Sequence, residues 1–308
     1  MRLDRFDLNL LIALDALLEE RNVTRASKRL HIGQSAMSGS LARLREHFDD
    51  ELLIPLGRGM TLSAFAQNLV EPVRHTLLHA RATINRKLAF DPATAVRKIL
   101  ITASDYVSSV LLSKVVQRVA QLAPGLTLDI RSPMQDVFER FTRGYIDLLI
   151  MPEQYLTPSN MPSIRLFEDS HVCIVWSENN TVGDTLTFDQ YMALGHVTVH
   201  FSDERNTLYE EWFMPRYGKH RTVELSVDNF SVLPLVIIGT QRIGTLHRKQ
   251  AEHFAQYLPL RLLDTPFEMP PVVEAMTWPA HLNDDPAILW LKDLLIDCAK
   301  NAPVQTSI

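Results

Sequence analysis

The chain has 308 residues, 46% of them hydrophobic and 22% charged, with a formal net charge of −5. That balance excludes a disordered or disulfide-stapled chain, and the length suits two or three domains. The charge is uneven: residues 1–90 hold 13 Lys+Arg against 10 Asp+Glu, whereas residues 91–308 hold 18 against 26. A basic front on an acidic body suits a nucleic-acid-binding module joined to something else. Cys173 and Cys298 are isolated and match no metal spacing, so both read as core residues in a reducing cytoplasm. Asp7, Asn9 and Asp15 interrupt the N-terminal apolar stretch, which speaks against a secretory signal, and no run reaches the length of a membrane span.

Phe6 to Glu20 reads as a first helix, with Leu10, Leu14, Leu17 and Leu18 as its core stripe. Thr24 is a good N-cap for a short helix from Arg25 to Leu30. His31-Ile32-Gly33 then makes a tight break, with Gly33 suited to a left-handed conformation. A second helix follows from about Gln34 to Phe48. Met37, Leu41, Leu44 and Phe48 form its buried stripe, and Gln34, Ser35, Ser38, Gly39 and Arg45 lie opposite. Two short helices at a tight turn, the second exposing small polar groups, match a helix-turn-helix. Hydroxyls, an amide and a glycine on that face allow close approach to base edges. The alternative is a solvated face on an ordinary helical hairpin.

Leu52-Leu53-Ile54 and Met60-Thr61-Leu62 read as a small hairpin, or wing, around a turn from Pro55 to Gly59. Arg58, between two glycines at its tip, is placed for a phosphate or a minor groove, or else is a solvated turn residue. Ser63 to Leu88 is a long helix with Phe65, Leu69, Val73, Leu77, Ala80, Ile84 and Leu88 on one stripe. No neighbouring segment has the length to cover that stripe, so it predicts a homodimer through residues 63–90. Pro72 should bend it.

Ala89 to Val96 reads as a linker, and the pattern then becomes α/β. Strands at Lys98–Thr102, Leu126–Ile130 and Asp147–Met151 alternate with helices at Val107–Leu122 and Gln135–Arg143. Two strands within Arg165–Ser177 lead into a second alternation. Its strands are His196–Phe201, Thr222–Val227 and Arg242–Leu246. Its helices are Phe188–Leu194, Asn206–Tyr217, Ser231–Ile238 and Arg248–Ala255. Strands at Leu260–Leu263 and Val272–Trp278 and a helix at Ala287–Lys300 close the chain. Two α/β units in one body predict a two-lobed ligand-binding domain. Its ligand belongs at strand carboxyl ends between the lobes. That selects Ser104, Met134 and Met151 from the first lobe, and His200, Phe201, Asn229 and Phe230 from the second. Met134, Met151, Phe201 and Phe230 would form apolar walls, and Ser104, His200 and Asn229 would supply hydrogen bonds. The mixture suits an aromatic or phenolic ligand. Ser104 has a second reading, as the cap of the helix that follows, and the Met and Phe residues a second one as core. His196 and His200 share one strand face, but no further ligands accompany them, so no metal is expected.

Specific stretches carry a family resemblance. They are Asp7 to Leu11 (DLNLL), Thr24-Arg25-Ala26-Ser27, Gln34-Ser35-Ala36-Met37-Ser38 and Gly57-Arg58-Gly59-Met60. With the order of the elements, they make the whole chain resemble a LysR-type transcriptional regulator. Ala89-Phe90-Asp91-Pro92-Ala93, Gly195-His196-Val197, Glu210-Glu211-Trp212-Phe213, Trp278-Pro279-Ala280, Asp285-Pro286-Ala287 and Trp290 narrow the likeness. They are most similar to the branch of nodulation protein D and the naphthalene- and nitrotoluene-degradation regulators.

The resemblance implies an all-α winged helix-turn-helix domain (residues 1–62), a linker helix (63–90) and a two-lobed, periplasmic-binding-protein-like effector domain (91–308). Lobe I would take about 97–168 and 270–308, and lobe II about 169–269. It further implies a homotetramer on interrupted palindromic promoter DNA, dealings with RNA polymerase, and a small effector of the flavonoid or aromatic-acid kind. Carried over by position, Gln34, Ser35 and Ser38 would meet bases, Thr24 and Arg25 backbone phosphates, and Arg58 phosphate or the minor groove. Arg43 joins the DNA-contacting set. No cofactor is implied. The chain departs from many relatives at Ser35 (often Pro), Gly39 (often Arg or Asn) and Pro55 (often Arg), and the last two remove possible cationic or bidentate contacts. A ligand-independent regulator, an α/β enzyme and a solute-binding protein are the competing readings. The chain has no Gly-rich phosphate loop, no G-x-S-x-G elbow and no HExxH to favour the enzyme.

Overall fold

The computed structural model describes residues 6–57, 59–84, 90–156, 161–200, 216 and 221–300. Helix Asn206–Tyr217, apart from Arg216, and the tip residue Arg58 therefore lie outside the described residues. The chain forms two compact units, Met1–Leu88 and Ala89–Ile308.

The first unit packs α1 (Asn9–Glu20), α2 (Val23–Arg29) and α3 (Gln34–Phe48) around Leu14, Leu17, Ala26, Met37, Leu41 and Leu44. Asn22, not Thr24, caps α2: its side-chain oxygen accepts the Arg25 N–H at 2.9 Å. Thr24 lies inside the helix. The left-handed residue after α2 is His31 (φ 55), while Gly33 is extended. The His31 N–H reaches the Lys28 carbonyl and the Ile32 N–H the Ser27 carbonyl, a paired closure that places the positive φ at His31. The wing is β1 (Leu53–Leu56) paired antiparallel with β2 (Gly59–Leu62). Its turn is tighter than the sequence suggests, because Pro55 belongs to the strand opposite Met60.

Helix α4 (Ala64–Ile84) follows directly. Ala66 and Val73 pack into the first unit's core and Leu69, Val70 and Leu77 lie against it, so α1 covers part of the expected stripe. Phe65 stays partly exposed, and Ile84 is 82% exposed.

The second unit holds two five-stranded sheets. Its strands are β3 (Arg97–Thr102), β4 (Leu126–Arg131), β5 (Leu148–Pro152), β6 (Ser163–Asp169), β7 (His171–Trp176) and β8 (Gly195–Val199). They continue with β9 (Thr222–Val227), β10 (Ile243–His247), β11 (Leu260–Asp264) and β12 (Val272–Thr277). Lobe I has the order β4-β3-β5-β12-β6 and lobe II β11-β7-β10-β8-β9. Strands β3, β4 and β5 run parallel, as do β8, β9 and β10; β12, β6, β7 and β11 supply the antiparallel pairings. The chain crosses between lobes twice, from β6 to β7 and from β11 to β12.

Helical segments cover both sheets. After β3 come α5 (Asp105–Val107), a π segment (Ser108–Leu112) and α6 (Ser113–Leu122). Later come α7 (Val137–Thr142), α8 (Glu153–Leu156), α9 (Phe188–Ala193), α10 (Leu233–Ile237), α11 (Arg248–Ala255) and α12 (Pro286–Lys300). The stretches singled out in sequence brace this unit. Arg97 grips Asp285 at 2.6 and 2.7 Å, Asp285 also accepts the first amides of α12, and Trp278 donates to Asn283 at 2.7 Å. The Phe90 and Trp290 rings pack at 5.8 Å. The exposed Glu224 carboxylate lies over Gly195, filling the space a Cβ would take, so a larger residue there would have to displace that side chain.

Candidate functional site

Two places gather chemistry. The first is the exposed face of α3 with its surroundings. Burying Met37, Leu41 and Leu44 leaves Gln34, Ser35, Ser38 and Gly39 exposed on one face. Gly33 offers no side-chain cap, so the first amide N–H groups of α3 remain open to water or to an anionic oxygen. Thr24, Arg25 and Arg43 are also exposed. Arg25 pairs with Glu20 at 3.3 Å and Arg43 with Asp7 at 3.5 Å. Such exposed pairs are weak, so Arg43 can exchange its carboxylate for a phosphate at small cost, while Arg25 also donates to the Glu20 carbonyl. A Cβ on Gly39 would meet nothing within 4 Å, so that face has room for a larger side chain.

Arg45 does not belong with this face. Its guanidinium donates to the carbonyls of Glu51 at 2.8 Å and Leu53 at 3.0 Å, tying the last turn of α3 to the root of the wing. The sequence pattern placed it opposite Met37, but side-chain reach and the nearby carbonyls turn it inward.

The second place is the seam between the lobes of the second unit. Asp105 of lobe I accepts both the backbone N–H and the hydroxyl of Ser231 of lobe II, each at 2.6 Å. Gln250 donates to Ser109 at 3.2 Å. Tyr106 donates to Asp169 at 2.7 Å and stacks on His247 with ring centroids 3.9 Å apart. Phe230 meets Tyr106 at 6.2 Å and His247 at 4.7 Å, and His171 lies 5.1 Å from His247. The β12–β6 ladder shifts register between Glu274 and Ala275 beside this seam, and the π segment runs along it. Local departures of both kinds concentrate at functional places.

Burial sets the charge states here. It raises the Glu274 carboxyl to about 8, with Asp169 adding repulsion. It raises Asp169 too, against the lowering effect of Tyr106 and Lys249. It pulls His171 down to about 4, and it holds His247 well below its ordinary value, with His171 contributing. Burial therefore favours a neutral Glu274 and neutral imidazoles, while Asp169 accepts from the Tyr106 hydroxyl and the Lys249 N–H. Four buried atoms around it have no hydrogen-bond partner among the described residues: His171 Nδ1, His247 Nδ1, Gln250 Oε1 and Glu274 Oε2. Buried polar atoms are normally satisfied, so a group of four at one seam calls for added donors or acceptors.

The expected effector residues divide. Phe230 and Ser104 lie at the seam, and Ser104 spends its hydroxyl capping α5, accepting the Val107 N–H at 3.2 Å. Asn229 lies next to Phe230, but its side-chain oxygen accepts the Val232 N–H. Met134 is 63% exposed on the surface. Met151 is buried with Val137, Phe141 and Leu156, because alternation along β5 sends it to the α7 side and Ile150 to the seam side. His200 is half-buried beyond β8, its N–H on the Val227 carbonyl. Phe201 lies outside the described residues. His196 spends both ring nitrogens inside lobe II, on the Tyr191 carbonyl at 2.7 Å and Arg221 at 3.2 Å. Sequence reasoning missed Asp105, Tyr106, Asp169, His247, Gln250 and Glu274. One signal was present: Glu274 is a lone carboxylate inside the apolar run of β12.

Comparisons with known proteins identify the family. Residues 8–67 match the bacterial regulatory helix-turn-helix protein, lysR family, and residues 94–299 match the LysR substrate binding domain. Nodulation protein D 2 of Rhizobium tropici is 42% identical, covering 100% of this chain and 99% of its own. A probable transcriptional regulator from Pseudomonas aeruginosa superposes with a TM-score of 0.64 at 27% identity, over 95% of this chain and 97% of that one. Full-length CbnR, solved with its target DNA, shares the fold at a TM-score of 0.57 and 14% identity, over 97% of this chain and 100% of its own. The chain belongs to the LysR family of transcription regulators, with a helix-turn-helix DNA-binding domain followed by an effector-binding domain.

Proposed function

We propose that this regulator binds interrupted palindromic promoter DNA as a homodimer or homotetramer, through α3 and the wing, and responds to a small effector seated at the lobe seam. Gln34, Ser35 and Ser38 read bases, Thr24, Arg25 and Arg43 hold phosphates, and Arg58 serves the wing. The exposed polar face of α3, with surface arginines beside it, carries the DNA part of this reading. The dimer runs through α4, whose exposed Ile84 and Phe65 extend the apolar stripe beyond what α1 covers. The protein works in the cytoplasm, where it meets promoter DNA and RNA polymerase.

The effector is a small hydroxylated aromatic compound. The Tyr106, Phe230 and His247 rings form a buried aromatic cluster at the seam, and Glu274, Gln250 and His171 carry unpartnered polar atoms beside it that phenolic hydroxyls would meet. Of the residues first expected from sequence, Phe230 and Ser104 remain the best placed. His200, Asn229 and Phe201 stay in the proposal as neighbours. Met134 and Met151 leave it, one exposed and the other core. The test is retardation of the DNA upstream of its own gene by the purified full chain, with affinity falling steeply as salt rises. Calorimetric titration of the same protein with hydroxylated aromatics tests the seam. Salt-insensitive or sequence-blind retardation rejects the DNA assignment, and no heat with any compound of that class rejects the effector assignment.

A further inference from the structure

The junction after α3 joins three elements that DNA reading needs. Asp49 and Leu52 are both left-handed, with φ 51 and 57, although neither is glycine. Leu52 is buried, so its strained backbone is held by its surroundings. The Asp50 carboxylate accepts the Leu52 N–H at 2.7 Å and the Ser63 hydroxyl at 2.5 Å. The Ser63 hydroxyl oxygen in turn accepts the Ala66 N–H at 3.0 Å, capping α4. The Ser63 N–H reaches the Leu52 carbonyl at 3.0 Å. From the other side, the Arg45 fork holds the Glu51 and Leu53 carbonyls and also pairs with the Glu51 carboxylate at 3.1 Å. Leu53 is the first residue of β1 and pairs with Leu62 at the end of β2. One corner thus fixes the last turn of α3, both roots of the wing and the first turn of α4.

The wing cannot fix its own direction. It is a two-stranded hairpin four residues long on each side, with Leu56 67% exposed. Such a hairpin is marginal alone, so its root decides where it points. Arg is suited to the root because its planar fork reaches two carbonyls at once, which a lysine ammonium cannot reproduce. We propose that Arg45 and Asp50 are positioning residues for DNA reading: they set where the wing lands relative to the groove occupied by α3. This rests on the assignment of α3 and the wing to DNA.

The test uses the full chain and duplexes that the wild type selects from a randomised library. Binding of wild type, Arg45→Lys, Asp50→Asn and Glu51→Gln is compared by hydroxyl-radical footprinting, at a temperature well below each protein's melting point. Arg45→Lys keeps the charge and loses the fork. It should retain protection over the α3 half-site, lose protection at the wing flank and bind about tenfold more weakly, about the worth of one charge-assisted hydrogen bond. Asp50→Asn should weaken the same flank less. Glu51→Gln leaves the carbonyl bonds in place and removes only the exposed ion pair with Arg45, so it should weaken the flank least of the three.

Unchanged wing protection in both Arg45→Lys and Asp50→Asn overturns the proposal, because Arg45 would then be a direct phosphate contact or a purely structural residue. If Arg45→Lys does not fold, Asp50→Asn decides alone. If neither folds, the corner is a folding element and the proposal falls. A wild type that enriches no sequence rejects the DNA assignment itself, and the proposal with it. Enrichment with an unaltered wing flank rejects the proposal alone.

Discussion

The two units handle buried polarity in opposite ways. Among the described residues of the first unit, no buried side-chain nitrogen or oxygen lacks a partner. Its polar groups are capped, paired or exposed, as at Asn22, Asp50, Ser63 and Arg45. The second unit holds its partnerless buried atoms partly at one seam, where His171, His247, Gln250 and Glu274 converge. The contrast fits a reading head that is finished by its own chain and a body that is completed by something else. It also explains why charge matters differently in the two. The head presents surface cations, whereas the seam suppresses charge by burial.

Breaking the head's core should have the largest effect. Leu14 is fully buried, and Leu14→Ala should cost about 3–5 kcal/mol, the usual range for a truncated core leucine. DNA binding should disappear while the second unit still unfolds at its own temperature, which calorimetric melting would resolve into two transitions. A single shifted transition would deny that the units are separate.

A smaller effect should separate the seam from the head by pH. Glu274, raised to about 8 from 4.5, contributes stability that is complete below pH 4.5 and is lost as pH rises through 8. His171 and His196, lowered to about 4 from 6.5, contribute stability that is present above pH 6.5 and is lost as pH falls through 4. The second unit should therefore be most stable near pH 6.5. Glu274→Gln should flatten the alkaline limb, which in wild type falls by about 1.4 kcal/mol per pH unit. Chemical unfolding across pH checks this, and an alkaline limb unchanged in the variant would contradict it.

Next in size is Gly39→Arg. The site is open, so the variant should fold normally and change operator preference by about 1–3 kcal/mol at one base pair, through a bidentate contact. Selection from randomised duplexes would show the change, and an unaltered preference would place this face outside the groove. The smallest effect is Asn22→Ala, which should cost about 1 kcal/mol of head stability through the lost α2 cap. Thr24→Ala should be nearly neutral by the same melting measurement, which sharpens the assignment of the cap.

Much of the fold was legible in the residues. The 3.6-residue stripe through Met37, Leu41 and Leu44 defined α3, and alternation with turn residues gave nearly every strand of the body. Caps and turns were less legible, because Asn22 and Thr24 are both good caps and only the helix's true start chooses between them. The same holds for His31 and Gly33: the closing hydrogen bonds select the left-handed residue, and residue type alone does not. The exposed polar face of α3 could be named in advance because a helix has one period and its buried stripe leaves one opposite face. Arg45 could not, because a long side chain reaches partners that periodicity does not see.

The lobe seam shows where that limit lies. Sequence alone determined the family, the element order and the two-lobed body, since local periodicity and short motifs suffice for those. Tertiary structure alone decided the seam, because its groups come from strands and helices far apart in the chain: Asp105 beside Ser231, Tyr106 beside Asp169 and His247, Gln250 beside Ser109. The physical reason is burial by long-range packing. The same Glu274 carboxyl would be an ordinary solvated acid in an open strand; its acidity is suppressed and its Oε2 left without a partner only when β12 closes against β6 and the lobes meet.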